Sequence, residues 1–117
     1  MSMNVLVVDD NADIREVLEI VLTSHGHAVR TAHDSGEAAA IADQSPPDVV
    51  LLDYRMPGDQ RVQEFVNTMR RGGATRVVLM SGIGDVAQRA TQMGLRYSLQ
   101  KPFDVAKLIE VVERPGC

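Results

Sequence analysis

Five side chains able to do polar chemistry stand directly after short strand-like runs. Asp9 and Asp10 follow residues 5–8, Asp53 follows 49–52, Ser81 follows 77–80, and Lys101 with Pro102 follows 97–100. Three carboxylates brought close together repel one another and need a cation or raised pKa values. Hard oxygen ligands with room for water suit Mg2+, which takes few protein ligands and a phosphate oxygen. Lys101 adds a point charge suited to phosphate. Such a set fits phosphoryl transfer, where positioning and charge neutralisation do most of the work. A carboxylate can itself be the nucleophile, giving an aspartyl phosphate. Each residue has a plainer reading as well. Asp10 suits a helix cap, Ser81 before Gly82 suits a turn, and Lys101 suits a solvated surface. Their joint occurrence at four strand ends is what favours a site.

The elements that must position them are legible. Residues 5–8, 49–52 and 77–80 are short, valine-rich and apolar without alternation, the pattern of parallel strands buried on both faces. Weaker strands are expected at 27–32 and 97–100. Between them Ile14, Val17, Leu18, Val21 and Leu22 follow the spacing of one buried helical face, with Asn11 or Ala12 before it and Gly26 after. Ser35 is expected to cap a second helix that runs through Gln44, with Glu37 in its first turn. Further helices are expected at 62–70, 85–93 and 104–113. Five βα units imply a parallel sheet with helices on both faces. In such open sheets, ligands bind beyond the carboxyl ends of the strands, where all five polar side chains would lie.

Composition narrows the function. The 117 residues suit one domain spanning 1–117, and 44% hydrophobic content supports a packed core. A net charge of −4 gives no general attraction to nucleic acid. No apolar run approaches the ~20 residues of a membrane span, and no basic-then-apolar leader stands at the start. A soluble, cytoplasmic protein without membrane attachment is expected. Cys117 is the sole cysteine, so no internal disulfide can form.

The string Val-Leu-Val-Val-Asp9-Asp10, then Leu-Leu-Asp53-Tyr-Arg-Met56-Pro57, Met80-Ser81-Gly82 and Lys101-Pro102-Phe103 resembles the response-regulator receiver domain of two-component signalling. The resemblance spans Asn4 to about Glu113. It implies an α/β, doubly wound five-stranded sheet of order 2-1-3-4-5, a flavodoxin-like three-layer sandwich. By the same resemblance Asp53 accepts a phosphoryl group from a kinase phosphohistidine. Asp9, Asp10, Asp53 and the Arg55 carbonyl hold Mg2+, Lys101 pairs with the phosphoryl group, and Ser81 turns toward it. A cis bond precedes Pro102. The partners implied are a sensor histidine kinase or phosphotransfer protein, and a downstream effector or a separate output domain. The domain is not an enzyme in the ordinary sense, but assists its own phosphorylation and dephosphorylation. The chain is equally readable as a stand-alone regulator or as a piece of a longer one.

Three departures from the family pattern stand out. Ser98 occupies the switch position where the family often has an aromatic residue. Tyr97 beside it should face the opposite side of the sheet. Arg61 stands where a glycine is common, with Gly58 available for flexibility. Arg55, two residues past the acceptor, is a cation that could shield a phosphoryl group. A flavin carrier of the same fold would need a Ser/Thr/Gly-rich phosphate loop and aromatic cover, where this chain has Asp-Asp-Asn and no Trp. An aspartate-nucleophile phosphohydrolase would need a second acid near Asp53 and a cap domain. A non-phosphorylated partner-binding relative would lack part of the acidic set. The remaining polar residues are expected to be structural: His25, His27 and His33 at the surface or as caps, Asp34 and Asp104 as turn or cap residues, Asp48 at the opposite rim, Met69, Met80 and Met93 in the core, and Arg70-Arg71 at a solvated helix end.

Overall fold

The protein is described from a computed structural model covering residues 2–54, 60–82 and 84–114. The elements run β1 (Asn4–Val8), α1 (Ala12–Ser24), β2 (Ala28–Ala32), α2 (Ser35–Gln44), β3 (Val49–Asp53), α3 (Gln60–Arg71), β4 (Arg76–Ser81), α4 (Val86–Gln92), β5 (Tyr97–Gln100) and α5 (Val105–Glu113). All neighbouring strands pair in parallel in the order β2-β1-β3-β4-β5. The expected strand order is therefore the observed one.

The strand pleat divides the core into two layers. Leu6, Val8, Val50, Leu52, Val77 and Leu79 pack with residues of α2, α3 and α4. Val5, Val7, Val49, Leu51, Val78, Met80 and Leu99 pack with residues of α1 and α5. Side chains alternate faces along a strand, so every residue of these central strands meets a helix layer. This is why the runs are apolar without a break. Each fully buried Val or Leu contributes about 1.5–3 kcal/mol.

Several local expectations are corrected. Val17 is not in the buried face of α1 but 58% exposed, as is Ile20 at 61%. The seam of α1 runs through Leu18 and Leu22, which are buried, flanked by half-buried Ile14 and Val21. At about 100° per residue, Val17 falls on the outer side of Ile14, away from Leu18. Asp34, not Ser35, caps α2: its carboxylate accepts the Glu37 backbone N–H at 2.8 Å, and Ser35 is already helical and buried.

His27 is neither a surface residue nor a cap. Its side chain is 0% exposed. Nδ1 accepts the Met3 backbone N–H at 3.1 Å, so Nε2 carries the proton and donates to Glu113 Oε2 at 2.7 Å. Both ring nitrogens are satisfied, which makes the burial tolerable. His25 does cap α1 at its carboxyl end, and His33 is exposed beside Asp34 and Glu37. Hydrogen bonds from His33 to Glu37, first from the backbone N–H and then from the ring, hold the Glu37 carboxyl below its ordinary value.

Among the described residues no helix is long and apolar enough to cross a membrane.

Candidate functional site

Asp9, Asp53 and Lys101 continue the alternation of Val5/Val7, Val49/Leu51 and Leu99, so all three fall on the α1/α5 side of the sheet at its carboxyl rim. The register pairs Val8 with Leu52 and Asp53 with Met80, which sets these strand ends level. From the edge, Lys101 Nζ reaches inward. It lies 2.8 Å from Asp53 Oδ1 and 3.2 Å from Asp9 Oδ2. The Lys101 side chain is 17% exposed, against 4% for Asp53 and 0% for Asp9.

Asp9 is fixed by its own surroundings. Its Oδ1 accepts the Asn11 N–H at 2.9 Å, and its carbonyl accepts from Arg15 Nη1 at 2.6 Å. Asn11 in turn caps α1, accepting from the N–H groups of Asp13 and Ile14 at 2.9 and 3.3 Å. One short stretch thus sets both the acid and the helix start. Asp10 is exposed beside it.

One oxygen from each of Asp9, Asp10 and Asp53 lies within 4.8 Å of the others. Among the described residues, the Lys101 ammonium meets two of these three carboxylates. A small cavity of about 30 Å³ is lined by all three acids and also by His33, Asp34 and Tyr54. That is room for an ion or a water or two. A hard divalent cation fits such an oxygen set better than a soft metal does.

Ser81, buried at the end of β4, accepts the Lys101 backbone N–H through its carbonyl at 2.8 Å. The Lys101–Pro102 bond is cis, as expected. Ser98 does not reach the rim. It is half-buried in mid-β5, opposite Leu79, and lines an open groove of about 710 Å³ with Val86, Ala87, Phe103 and Lys107. Tyr97 faces the other layer, as its position predicts, and Arg76 stacks on its ring at 4.7 Å. Arg55, Met56, Pro57 and Gly58 lie outside the described residues, so the Arg55 roles at the metal and over the phosphoryl group have no structural account. Asp48 is at the opposite rim, where its carboxylate accepts the Asn4 N–H at 2.8 Å. A cleft of about 360 Å³ there is lined by Asp48, Arg70, Arg76 and Arg96, away from the acidic cluster.

Sequence reasoning missed two residues that touch the site's frame. Arg89 on α4 donates to the Tyr54 hydroxyl at 3.0 Å and lies 4.7 Å from the ring centre. Gln100 donates to the Ser81 carbonyl at 3.2 Å. A cation near an aromatic is visible only once strand ends and helices are placed, so neither pairing had a signal in the chain itself.

The family model for the response regulator receiver domain matches residues 5–113. Among curated proteins, transcriptional regulatory protein FixJ of Azorhizobium caulinodans is 39% identical over 116 residues, covering 95% of this chain and 54% of that protein. Sporulation initiation phosphotransferase F of Bacillus subtilis is 28% identical, covering 97% of this chain and 94% of that protein. Among solved structures, chemotaxis protein CheY4 of Vibrio cholerae superposes with a TM-score of 0.82 at 28% identity, covering 97% of this chain and 98% of that one. The chain spans about half or less of the length of the transcriptional regulators it matches. A carboxylate cluster with an inward lysine at the carboxyl rim of a 2-1-3-4-5 sheet and a family match over nearly the whole length agree, and the chain belongs to the response regulator receiver domain family.

Proposed function

We propose that Asp53 accepts a phosphoryl group from a phosphohistidine donor in a Mg2+-dependent reaction, and that its phosphorylation switches partner binding. The carrying observation is the Lys101 ammonium, held at 2.8 Å from Asp53 and 3.2 Å from Asp9 inside a cluster of three carboxylates. In the reaction an Asp53 oxygen attacks phosphorus and the P–N bond of the donor breaks. The electron pair returns to the imidazole nitrogen, and an acyl phosphate forms. Water later attacks the phosphorus, restoring the carboxylate and releasing inorganic phosphate.

Asp9, Asp10 and Asp53 would hold the cation, which when bound neutralises charge on the transferring group. The protein's own part is positioning. Lys101 orients the Asp53 carboxylate and offers its charge to the incoming oxygens, and Ser81, one residue past the partner of Asp53 on β4, would turn its hydroxyl toward them. The Asn11 N–H fixes Asp9 so that its second oxygen stays toward Lys101. On this reading the chain is a single signalling domain that assists its own loading and unloading. Its donor is a sensor histidine kinase or phosphotransfer protein, and its output an effector or a linked domain. It works in the cytoplasm and has no nucleic-acid contact of its own.

Intact mass after incubation with acetyl phosphate tests this. One added phosphoryl mass that needs both Mg2+ and Asp53 is expected. A folded protein that gains no mass, beside a control that does, overturns the reading.

A further inference from the structure

The second set of side chains at the rim faces α4. Tyr54, Ser81, Ser98 and Gln100 share the alternation of Leu52, Leu79 and the α4-side layer, opposite in parity to Asp53 and Lys101. Tyr54 follows the acceptor directly, and its N–H donates to the Met80 carbonyl at 2.8 Å, so it is fixed to both β3 and β4. Its ring packs on the α4-side core, and Arg89 of α4 closes on both hydroxyl and ring. Gln100 makes a second tie. Its carboxamide nitrogen donates to the Ser81 carbonyl at 3.2 Å, and its oxygen faces the Val86 N–H at 3.5 Å, in the first turn of α4. Ser98, opposite Leu79, lies two residues back from Gln100 along β5.

We propose that in this chain the state of Asp53 is passed to α4 through Arg89 and Gln100, which clamp α4 to the ends of β3 and β4, rather than through an aromatic side chain on β5. The inference rests on the reading of Asp53 as phosphoacceptor. An acyl phosphate adds negative charge and three acceptor oxygens beside Tyr54. That charge draws the guanidinium of Arg89, an exposed group midway along α4, away from its resting geometry on the Tyr54 ring. Turning of the Ser81 hydroxyl toward the phosphoryl group shifts the same residue whose carbonyl Gln100 holds, and Gln100 carries that shift to the first turn of α4. Both ties therefore act on one helix from one site. Neither residue touches the reacting atoms; they are positioning residues for the response.

Hydrogen exchange over Val86–Gln92 tests this, with phosphoryl occupancy read by intact mass on the same samples under acetyl phosphate and Mg2+. Wild type is expected to change exchange in α4 by about tenfold on loading, the effect of one hydrogen bond gained or lost. The double variant Arg89→Ala, Gln100→Ala is expected to load fully yet respond less than about twofold, while Ser98→Ala retains the α4 response. Arg89→Lys, which keeps the charge but loses the planar fork, serves as the milder variant if the alanine pair folds poorly; it is expected to give an intermediate response. A loaded double variant with the wild-type response, a loaded wild type with no response, or loss of the response in Ser98→Ala each overturns the inference. Failure of wild type to load overturns the phosphoacceptor reading, and this inference with it.

Discussion

Lys101→Met removes the ammonium that meets Asp9 and Asp53 and leaves the side-chain volume nearly unchanged. In the wild type this group lies 2.8 Å from Asp53 and 3.2 Å from Asp9, whose side chains are 4% and 0% exposed. Without it, the Asp9 and Asp53 oxygens, no more than 4.8 Å apart, lose the cation they share. At an effective dielectric of about 20, such a pair repels by about 3 kcal/mol. Breaking a buried pair by removing one partner costs ~3–5 kcal/mol. Because Lys101 is 17% exposed, the lower end applies, and a loss of about 3 kcal/mol is expected. Against a total of ~5–15 kcal/mol this is severe. With a urea slope near ~2 kcal/mol/M, the midpoint should fall by about 1.5 M.

One condition separates this account from a simple packing defect. A divalent cation replaces the lost charge, so Mg2+ should stabilise the variant more than the wild type. The assay is urea unfolding followed by circular dichroism, in EDTA and in Mg2+. A deficit that ignores Mg2+, or no deficit in EDTA, would refute the electrostatic reasoning.

Other outcomes follow from local geometry. His27→Ala strands the Met3 N–H and the Glu113 carboxylate and opens a cavity, so a loss of about 2–4 kcal/mol is expected in thermal melts; a loss within error would refute the clasp. The Glu37 carboxyl sits below its ordinary value of 4.5. A depressed folded value means that its contribution is present above the unfolded pKa and is lost as pH falls through the folded one. Carbon-detected titration should therefore place its midpoint below 4.5, and an ordinary midpoint would remove the bonds assigned to His33. Gly94 has φ +80, and an added Cβ would collide with the Arg70 guanidinium. Gly94→Ala should cost about 1–2 kcal/mol. Only the steric part should be recovered in an Arg70→Ala background, because the backbone strain stays; full recovery in that double variant would refute the conformational part.

The central strands were readable because a strand buried on both faces cannot hide its composition: residues 5–8, 49–52 and 77–80 are apolar at every position. Asp9 and Asp53 were readable for a related reason, and Lys101 from the weaker strand before it together with the resemblance. A charge that ends such a run must lie at the rim, and the open-sheet rule says which rim. Where reading fell short, the deciding contact was non-local. Val17 matched the helical spacing, but the seam of α1 is narrow and centred on Leu18 and Leu22. His27 reads as polar and exposed until Glu113, 86 residues away, is brought to its ring. Ser35 and Asp34 are both good caps, and only the backbone conformation at Asp34 decides between them. Arg89 and Gln100 carried no motif, because their partners are set by how α4 rests on the sheet.

The pleat at the carboxyl rim also bears on how such a domain can change over time. On the proposed reading, one parity holds the acids and the lysine that would set how fast a phosphoryl group comes and goes, and the next residue along the same strand holds groups that would set what the rest of the molecule does about it. A substitution at Tyr54, Ser98 or Gln100 can thus retune the response while the chemistry at Asp53 and Lys101 stays as it was. Signal lifetime and signal meaning become separately adjustable traits, one residue apart.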